Sequence, residues 1–142
     1  MSFFVDANVF IYAAAPSEYR APCLEVLDAI ARGDVEGRTS TAVLEEVWHV
    51  ELSGRAGRLG GLTERVYTLM TPLLAVSDEV FGRALSLEST SLGANDRLHV
   101  ATCVTHGMDV VLTTDAEFDG LDEVRRIDPL DDRRRRRLLE DR

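Results

Sequence analysis

The sequence contains no lysine, and all 16 of its basic residues are arginines. It also lacks any apolar run close to the ~18 residues that a membrane-spanning helix needs, so we expect no spanning helix. The two cysteines, Cys23 and Cys103, stand alone without the spacing of a metal site, which predicts reduced thiols in a cytoplasmic protein. The N-terminus has no basic segment ahead of an apolar stretch, which argues against a secretory signal.

Positive charge is scarce as well. The chain of 142 residues has a net charge of −9. The last twelve residues contribute +2, so the rest of the chain carries −11. Contacts to phosphate need a positive surface, and this balance therefore excludes a general nucleic-acid-binding protein. Either the partner is not a polyanion, or many of the acids gather in a site that needs a metal ion.

Short apolar strands alternate with helical segments along the chain. The predicted strands are 3–5, 37–41, 73–76, 109–113 and 124–127. Strands separated by helices predict a parallel sheet with helices on both faces, an α/β fold in the form of a three-layer α/β/α sandwich. We predict one domain over residues 1–130, followed by a charged, arginine-rich C-terminal tail over 131–142.

Acidic residues stand where such a sheet binds its ligands, at the carboxyl ends of the strands. Asp6 directly follows the first strand, and Asp115 follows the strand that ends at residue 113. Glu45 and Glu46 lie on the helix after the second strand, where the apolar stripe favours Glu46 as the inward carboxylate. Asp96 opens the penultimate helix. A single surface acid is usually a solvated charge or a helix cap, but several acids at sheet-end positions predict a site.

Carboxylates crowded into one place repel each other and raise each other's pKa values, and a divalent cation removes that repulsion. Oxygen ligands without sulfur or nitrogen select Mg²⁺ or Mn²⁺. Such ions can generate a hydroxide and stabilise the transition state of phosphodiester cleavage. The acids therefore point to metal-dependent chemistry on a phosphate ester.

Several sequence blocks resemble those of PIN domains. They are Phe3–Val9, Ser40–Val47, Asn95–Thr102 and Val111–Asp119, with Arg126–Pro129 similar to the family's ending. Each block is short, but their order and spacing over residues 3–129 make the match specific. Among PIN domains, the blocks are most similar to those of VapC-like toxins of prokaryotic toxin–antitoxin pairs.

The resemblance implies a Mg²⁺- or Mn²⁺-dependent endoribonuclease that cleaves RNA, forms a homodimer and is inhibited by a small antitoxin. It implies a five-stranded parallel sheet of order 3-2-1-4-5. The metal ligands that it implies are Asp6, Glu46, Asp96 and Asp115, with Asp119 as a candidate fifth acid. Asn8 and Thr113 would orient these ligands.

Arginines and histidines are the remaining candidates for functional residues. Arg55 and Arg58 in a glycine-rich loop, and the tail residues Arg133, Arg134 and Arg135, are candidate RNA contacts. The alternatives are a plain connector for the loop and a solvated end for the tail. The three histidines, His49, His99 and His106, lie far apart without a nucleophile motif, so we expect core or surface roles for them.

Two alternatives stay open. A haloacid-dehalogenase-type phosphatase also has an Asp after its first strand and an acid pair such as Asp115 and Asp119. However, Asn8 stands where its second acid would be, its usual lysine is missing, and Glu46 and Asp96 would have no role. The other alternative is a PIN-like domain that binds a partner without cleaving RNA.

Overall fold

The computed structural model describes residues 1–57, 59–88 and 91–141. In this part of the chain, four strands alternate with seven α-helices and one short 3₁₀ turn at Ala116–Phe118. The strands are β1 (Ser2–Val5), β2 (Glu36–Arg38), β3 (Val110–Leu112) and β4 (Arg125–Ile127). The helices are α1 (Ala7–Ala14), α2 (Arg20–Ala31), α3 (Thr41–Ser53), α4 (Leu62–Met70), α5 (Asp78–Leu85), α6 (Ala94–Thr105) and α7 (Asp132–Glu140). None of the helices in these ranges is long and apolar enough to cross a membrane.

The strands form one parallel sheet in the order β2-β1-β3-β4. Phe4 in β1 pairs with Arg38 of β2 on one side and with Val111 of β3 on the other. Val111 pairs in turn with Arg126 of β4. Every residue of β3 is buried, as are the last three residues of β1, so helices cover both faces of the sheet. The predicted α/β fold with a parallel sheet is confirmed.

The predicted strand at 73–76 is reduced to a single parallel bridge between Leu74 and Ser40. The backbone N–H of Thr41 donates to the Leu74 carbonyl at 3.0 Å. The ladder goes no further because the partner chain enters α3 at Thr41, where the Val76 N–H donates to the Thr41 hydroxyl. The described residues therefore form four strands instead of five. The bridge at the end of β2 stands where the predicted order 3-2-1-4-5 has its third strand.

The main core packs against the sheet. Its largest fully buried side chains include Phe3, Phe4, Phe10, Phe118 and Leu112. A second, smaller cluster of Val80, Ala84 and Ala101 joins α5 to α6. This second cluster packs α5 against α6, and α6 supplies two side chains to the site described below.

Within the segment 131–142, which was expected to be a charged tail, residues Asp132–Glu140 form α7, and this helix packs on α2. Leu138 is only 4% exposed and Arg135 only 6%. The Arg135 Nε donates to Glu25 Oε2 of α2 at 3.0 Å. Within the run of five arginines, the helical period turns Arg135 and Leu138 to the same inward face, because residues three apart are neighbours on a helix. These two side chains tie α7 to the body of the protein.

Candidate metal centre

Asp6 lies where β1 passes into α1, beside the middle of the sheet. Its backbone N–H donates to the Leu112 carbonyl at 3.1 Å, and its Oδ1 caps α1 by accepting from the Ala7 N–H at 2.8 Å. The residue is 4% exposed. The chain turns to opposite sides of the sheet after β1 and after β3, and the crevice at such a reversal is the usual ligand position in an open α/β sheet. Asp6 therefore delivers a buried carboxylate to that crevice.

Neutral polar groups hold the second oxygen of Asp6. The Thr113 hydroxyl donates to Asp6 Oδ2 at 2.7 Å, and Asn8 Nδ2 donates to the same oxygen at 3.3 Å and to Thr113 Oγ1 at 2.9 Å. Backbone N–H groups complete the network: Asp115 donates to Thr113 Oγ1 and Thr114 donates to Asn8 Oδ1, each at 3.1 Å. The loops after β1 and β3 are thereby tied together around Asp6. Asn8 and Thr113 stand where they can orient this carboxylate.

Glu46 and His99 reach the same crevice from α3 and α6. Glu46 Oε1 lies 2.9 Å from His99 Nε2, and this nitrogen lies 3.7 Å from Asp6 Oδ1. The His99 side chain is fully buried, with its ring centroid 5.6 Å from that of Phe4. Asp6, Glu46 and His99 each offer a ligand atom within 4.8 Å of the other two.

Three further acids form a neighbouring group with the same spacing. They are Asp96 in the first turn of α6, Asp115 after β3, and Glu117 in the 3₁₀ turn. Asp115 Oδ1 accepts a hydrogen bond from the Glu117 N–H at 2.9 Å. The Asp96 carboxylate is close enough to Asp6 to be affected by its charge. The two groups are therefore parts of one acidic cleft.

Burial and crowding change the acid–base properties of the cleft. Burial, together with the charges of Asp6, Asp115 and Glu46, raises the pKa of Asp96 to about 6. Burial also raises the pKa of Asp6, against the opposing charge of His99. For His99 itself, burial lowers the pKa, but the hydrogen bond to Glu46 and the surrounding carboxylates outweigh it, so the pKa is raised overall. All three shifts favour bound protons, as expected for a cleft of strongly negative potential.

This donor set fits a divalent cation. Asp6, Glu46, Asp96 and Asp115 offer hard carboxylate oxygens, the ligand type that Mg²⁺ and Mn²⁺ prefer. The repulsion that raises the pKa of Asp96 is the interaction that a bound cation would reverse. These four acids could hold such an ion, with Glu117 at the edge of the cleft.

Two other acids that the sequence analysis considered, Glu45 and Asp119, are not among the acids that meet in the cleft. Glu45 is exposed on α3, whereas Glu46 is half-buried. Asp119 accepts two hydrogen bonds from Arg126, from Nε to Oδ1 at 2.8 Å and from Nη2 to Oδ2 at 3.1 Å. These bonds hold the pKa of Asp119 below its usual value. The structure therefore pairs Asp119 with Arg126 and not with the acids of the cleft.

The candidate RNA-binding arginines fall into three groups. Arg55 is exposed in the turn after α3, and Arg58 lies outside the described residues. Arg133 and Arg134 are exposed on α7. Arg135 is buried against α2, so its guanidinium is engaged inside the protein and does not face solvent.

The sequence predicts core or surface roles for the three histidines. In the structure, one of them also faces the cleft. His49 and His106 are exposed, whereas His99 is a core residue that also faces the carboxylates. His99 follows Asp96 by three positions, a spacing that puts both residues on one face of a helix. This spacing is the signal that could have indicated His99. Glu117 has no comparable signal.

An open groove of about 1490 Å³ adjoins the cleft between α3 and α4. Trp48 and Leu52 of α3 and Tyr67 of α4 are among its exposed apolar residues. Glu45 and Glu46 line the groove as well, so it is apolar along the helices and acidic where it meets the cleft.

A family model described as the PIN domain matches residues 3–124. No curated protein matches the chain. The chain is similar in structure to VapBC2 from Rickettsia felis bound to a DNA fragment from their promoter, with a TM-score of 0.69 and 15% identity over 90% of this chain and 98% of that chain. It is also similar to FitAB bound to the IR36 DNA fragment, with a TM-score of 0.63 and 19% identity over 89% and 94% of the two chains. FitAcB from Neisseria gonorrhoeae has a TM-score of 0.66 and 19% identity over 89% and 97%. At these identities the likeness establishes the fold.

Proposed function

The chain belongs to the PIN-domain family, and from this premise we propose that it is a Mg²⁺- or Mn²⁺-dependent endoribonuclease that acts in the cytoplasm as the toxin of a toxin–antitoxin pair. One observation carries the proposal: acids from four separate parts of the chain converge on one cleft, at the reversal point of the sheet. These acids are Asp6, Glu46, Asp96 and Asp115. Such convergence has no value for folding, because like charges in a partly buried cleft repel each other.

Each part of the cleft has a role in the proposed reaction. When bound, a divalent ion supplies a Lewis acid and a water of lowered pKa for attack on a phosphodiester. Asp6 after β1 and Glu46 on α3 would hold it together with Asp96 on α6 and Asp115 after β3. Thr113 keeps Asp6 in one orientation before any ligand arrives, which lowers the cost of organising the site.

The haloacid-dehalogenase alternative is not supported by the cleft. Its acid pair would be Asp115 and Asp119, but Asp119 is bound to Arg126. Glu46 and Asp96 would also have no role in it. The binding module without catalysis remains as an outcome of the test below.

The groove between α3 and α4 is the proposed antitoxin site. Its exposed apolar side chains, Trp48, Leu52 and Tyr67, lie next to the acids Glu45 and Glu64. An amphipathic segment with apolar residues on one face and arginine or lysine beside them would satisfy both features.

A homodimer is the second proposed assembly. Leu85 on α5 is 76% exposed, and Phe81, one helical turn before it, is half exposed. Large apolar side chains grouped on one exposed helix are typical of a surface that contacts another protein. This patch is separate from the groove, so a dimer and a bound antitoxin can coexist.

Cleavage of RNA is expected to require Mg²⁺ or Mn²⁺ and to stop in EDTA. The reason is that the carboxylates of the cleft repel each other, and a divalent cation would both neutralise them and lower the pKa of a bound water. Purified protein would be incubated with a mixed RNA substrate in Mg²⁺, Mn²⁺ or EDTA, and new RNA ends would be counted by gel and by end mapping.

A phosphomonoester is the matched substrate control for this assay. Release of phosphate from it, with RNA intact, would identify a phosphatase. No cleavage of RNA in either metal, with antitoxin-like peptides still bound, would identify the binding module. Cleavage at full rate in EDTA would contradict a metal-dependent site.

The exposed face of α7 is proposed to contact RNA phosphates outside the cleft. Arg133, Arg136 and Arg137 line one shallow depression on this helix. Replacing all three by Gln should raise the KM for RNA at low salt and leave kcat unchanged. Each single-strand phosphate contact contributes about 0.7 to the slope of log affinity against log salt, so the slope of kcat/KM should fall by up to about 2. Initial rates over a series of NaCl concentrations measure this.

The control for α7 is an equal change of charge elsewhere. Arg20, Arg32 and Arg83 are exposed on α2, after α2 and on α5, and replacing them by Gln should leave the salt slope nearly unchanged. Deleting α7 is not a suitable test, because it would also remove the buried Leu138 and Arg135. An equal fall in slope for both triple variants would mean that α7 acts through net charge only. Arg55, Arg58 and Arg134 stay candidates of the same kind.

A further inference from the structure

His99 is not one of the predicted metal ligands, but its position in the protein is unusual for a histidine. Its side chain is fully buried on α6, and its Nε2 lies 2.9 Å from Glu46 Oε1 and 3.7 Å from Asp6 Oδ1. A core position of this kind is usually filled by an apolar residue, since burying a polar ring is costly unless it is hydrogen-bonded. The ring nitrogen is instead aimed into the cleft.

The two ring nitrogens of His99 differ in their surroundings, and this difference assigns the tautomer. Nδ1 is buried and has no hydrogen-bond partner among the described residues, whereas Nε2 faces two carboxylates. With the proton on Nδ1 alone, a buried N–H would have no acceptor, and the lone pair of Nε2 would face the lone pairs of two carboxylates. With a proton on Nε2, this N–H has Glu46 as its acceptor. The proton therefore sits on Nε2 and is donated to Glu46. An Nε2 that carries this proton has no lone pair to offer to an ion.

The Glu46 side chain needs such a donor more than Asp6 does. Asp6 is held by Ala7, Thr113 and Asn8. Glu46 has one more rotatable bond than Asp6 and is 28% exposed, so without a partner it would sample several rotamers. The His99 Nε2–H removes that freedom.

We propose that His99 is a positioning residue: its Nε2–H fixes the Glu46 carboxylate in the orientation that binds the metal ion, and the ring itself is not a ligand. The proposal rests on the proposed function only in taking Glu46 as a metal ligand. A partner that orients a ligand in this way typically changes metal affinity by about 10- to 100-fold when it is removed.

Calorimetric titration with Mn²⁺ tests this without any RNA. His99→Leu keeps a side chain of similar size against Phe4 but removes the donor, and it should weaken Mn²⁺ binding by about 10- to 100-fold. His99→Gln can place an amide N–H near the position of Nε2, and it should bind Mn²⁺ within a few-fold of the original protein. His106→Gln, at an exposed histidine on the end of the same helix, should have no effect on Mn²⁺ affinity.

A double-mutant cycle shows whether His99 acts through Glu46. Once Glu46→Gln has removed the carboxylate, adding His99→Leu should change Mn²⁺ affinity by less than about twofold, because the residue that it positions is gone. Equal losses with and without Glu46 would overturn the proposal in favour of a direct ligand. Unchanged Mn²⁺ affinity in a folded His99→Leu protein would reduce His99 to a packing residue.

A measurement on the unaltered protein covers the case in which His99→Leu does not fold. Long-range ¹H–¹⁵N correlation of the His99 ring should show a proton on Nε2 both before and after saturation with Mg²⁺. Loss of that proton on Mg²⁺ binding would overturn the proposal. Because neither experiment uses RNA, absence of ribonuclease activity would count against the proposed function and leave these results decisive for His99.

Discussion

Asp96→Asn is expected to lower RNA cleavage by at least about a thousandfold while leaving the protein folded. A metal ion contributes several kcal/mol to the transition state of phosphodiester cleavage, and each ~1.4 kcal/mol is a factor of about ten in rate. Asp96 belongs to the group with Asp115 and Glu117 and is close enough to Asp6 to be affected by its charge, so its loss should weaken the site as a whole. Asp6→Asn should act similarly, since Asn also caps helices and α1 should persist. Single-turnover cleavage at saturating Mn²⁺ measures both.

Asp78→Asn is the matched control for this substitution. Asp78 also lies in the first turn of a helix, α5, but is exposed and away from the cleft. Like Asp96→Asn, it removes a carboxylate near a helix N-terminus, so it controls for the loss of that interaction. Cleavage by the Asp78 variant should be unchanged. If the Asp96 variant cleaved RNA at the rate of this control, Asp96 would be a helix cap and not a ligand.

The same substitution changes how stability depends on pH when no metal is bound. The pKa of Asp96 is about 6 in the folded protein against an ordinary value of 3.8. Between these values the folded protein binds more protons than the unfolded chain, so the free energy of unfolding falls as the pH rises from about 4 to about 6. Asp6, whose pKa is also raised, contributes in the same direction. Urea unfolding in EDTA should show this fall, and Asp96→Asn should flatten it and be the more stable protein at pH 7.

Glu46→Gln and Glu45→Gln should have very different effects on RNA cleavage, although the two residues are neighbours. Glu46 is half-buried and bonded to His99 in the cleft, so its neutralisation should lower cleavage by about 100-fold or more through lost metal binding. Glu45 is exposed, and screening by water limits the effect of its charge to about twofold. Cleavage as a function of Mn²⁺ concentration measures both, with the midpoint for Glu46→Gln moved to higher Mn²⁺.

The opposite ranking would move the ligand to Glu45 and would mean that α3 is rotated relative to the arrangement described here. Equal and small effects of the two substitutions would leave α3 without a metal ligand. The ambiguity arises in the sequence because two adjacent glutamates differ by about 100° around a helix, and the apolar pattern of α3 indicates the inward direction only weakly.

Much of the fold follows from local patterns. Phe3–Val5 and Val110–Leu112 are continuous apolar runs, as expected for parallel strands buried on both faces. The segment around Leu74 has the composition of a strand, but its partner chain enters α3 at Thr41, so pairing ends after one bridge. The position at which a partner strand ends depends on the tertiary structure, which the composition of the segment does not record.

The sequence locates the acids of the cleft only as well as it locates the ends of the strands. A residue that comes at most a few positions after a buried strand must lie near the carboxyl edge of the sheet, which locates Asp6 and Asp115. The partners of a side chain are harder to predict, since they come from distant parts of the chain. The sequence does not show that Arg126 is bound to Asp119, or that the Arg135 guanidinium turns inward to Glu25. In a run of five arginines, only the position of the helix axis decides which one is buried.

The two edges of the sheet have a consequence for behaviour at high concentration. β2 and β4, the outer strands, are three residues long each and carry the charged residues Glu36, Arg38, Arg125 and Arg126. Short edge strands with charged side chains offer few unpaired backbone groups on which a strand of another molecule could grow. The sheet is therefore a poor template for fibril formation. Addition of strands from neighbouring molecules is therefore disfavoured at both edges of the sheet, at any protein concentration.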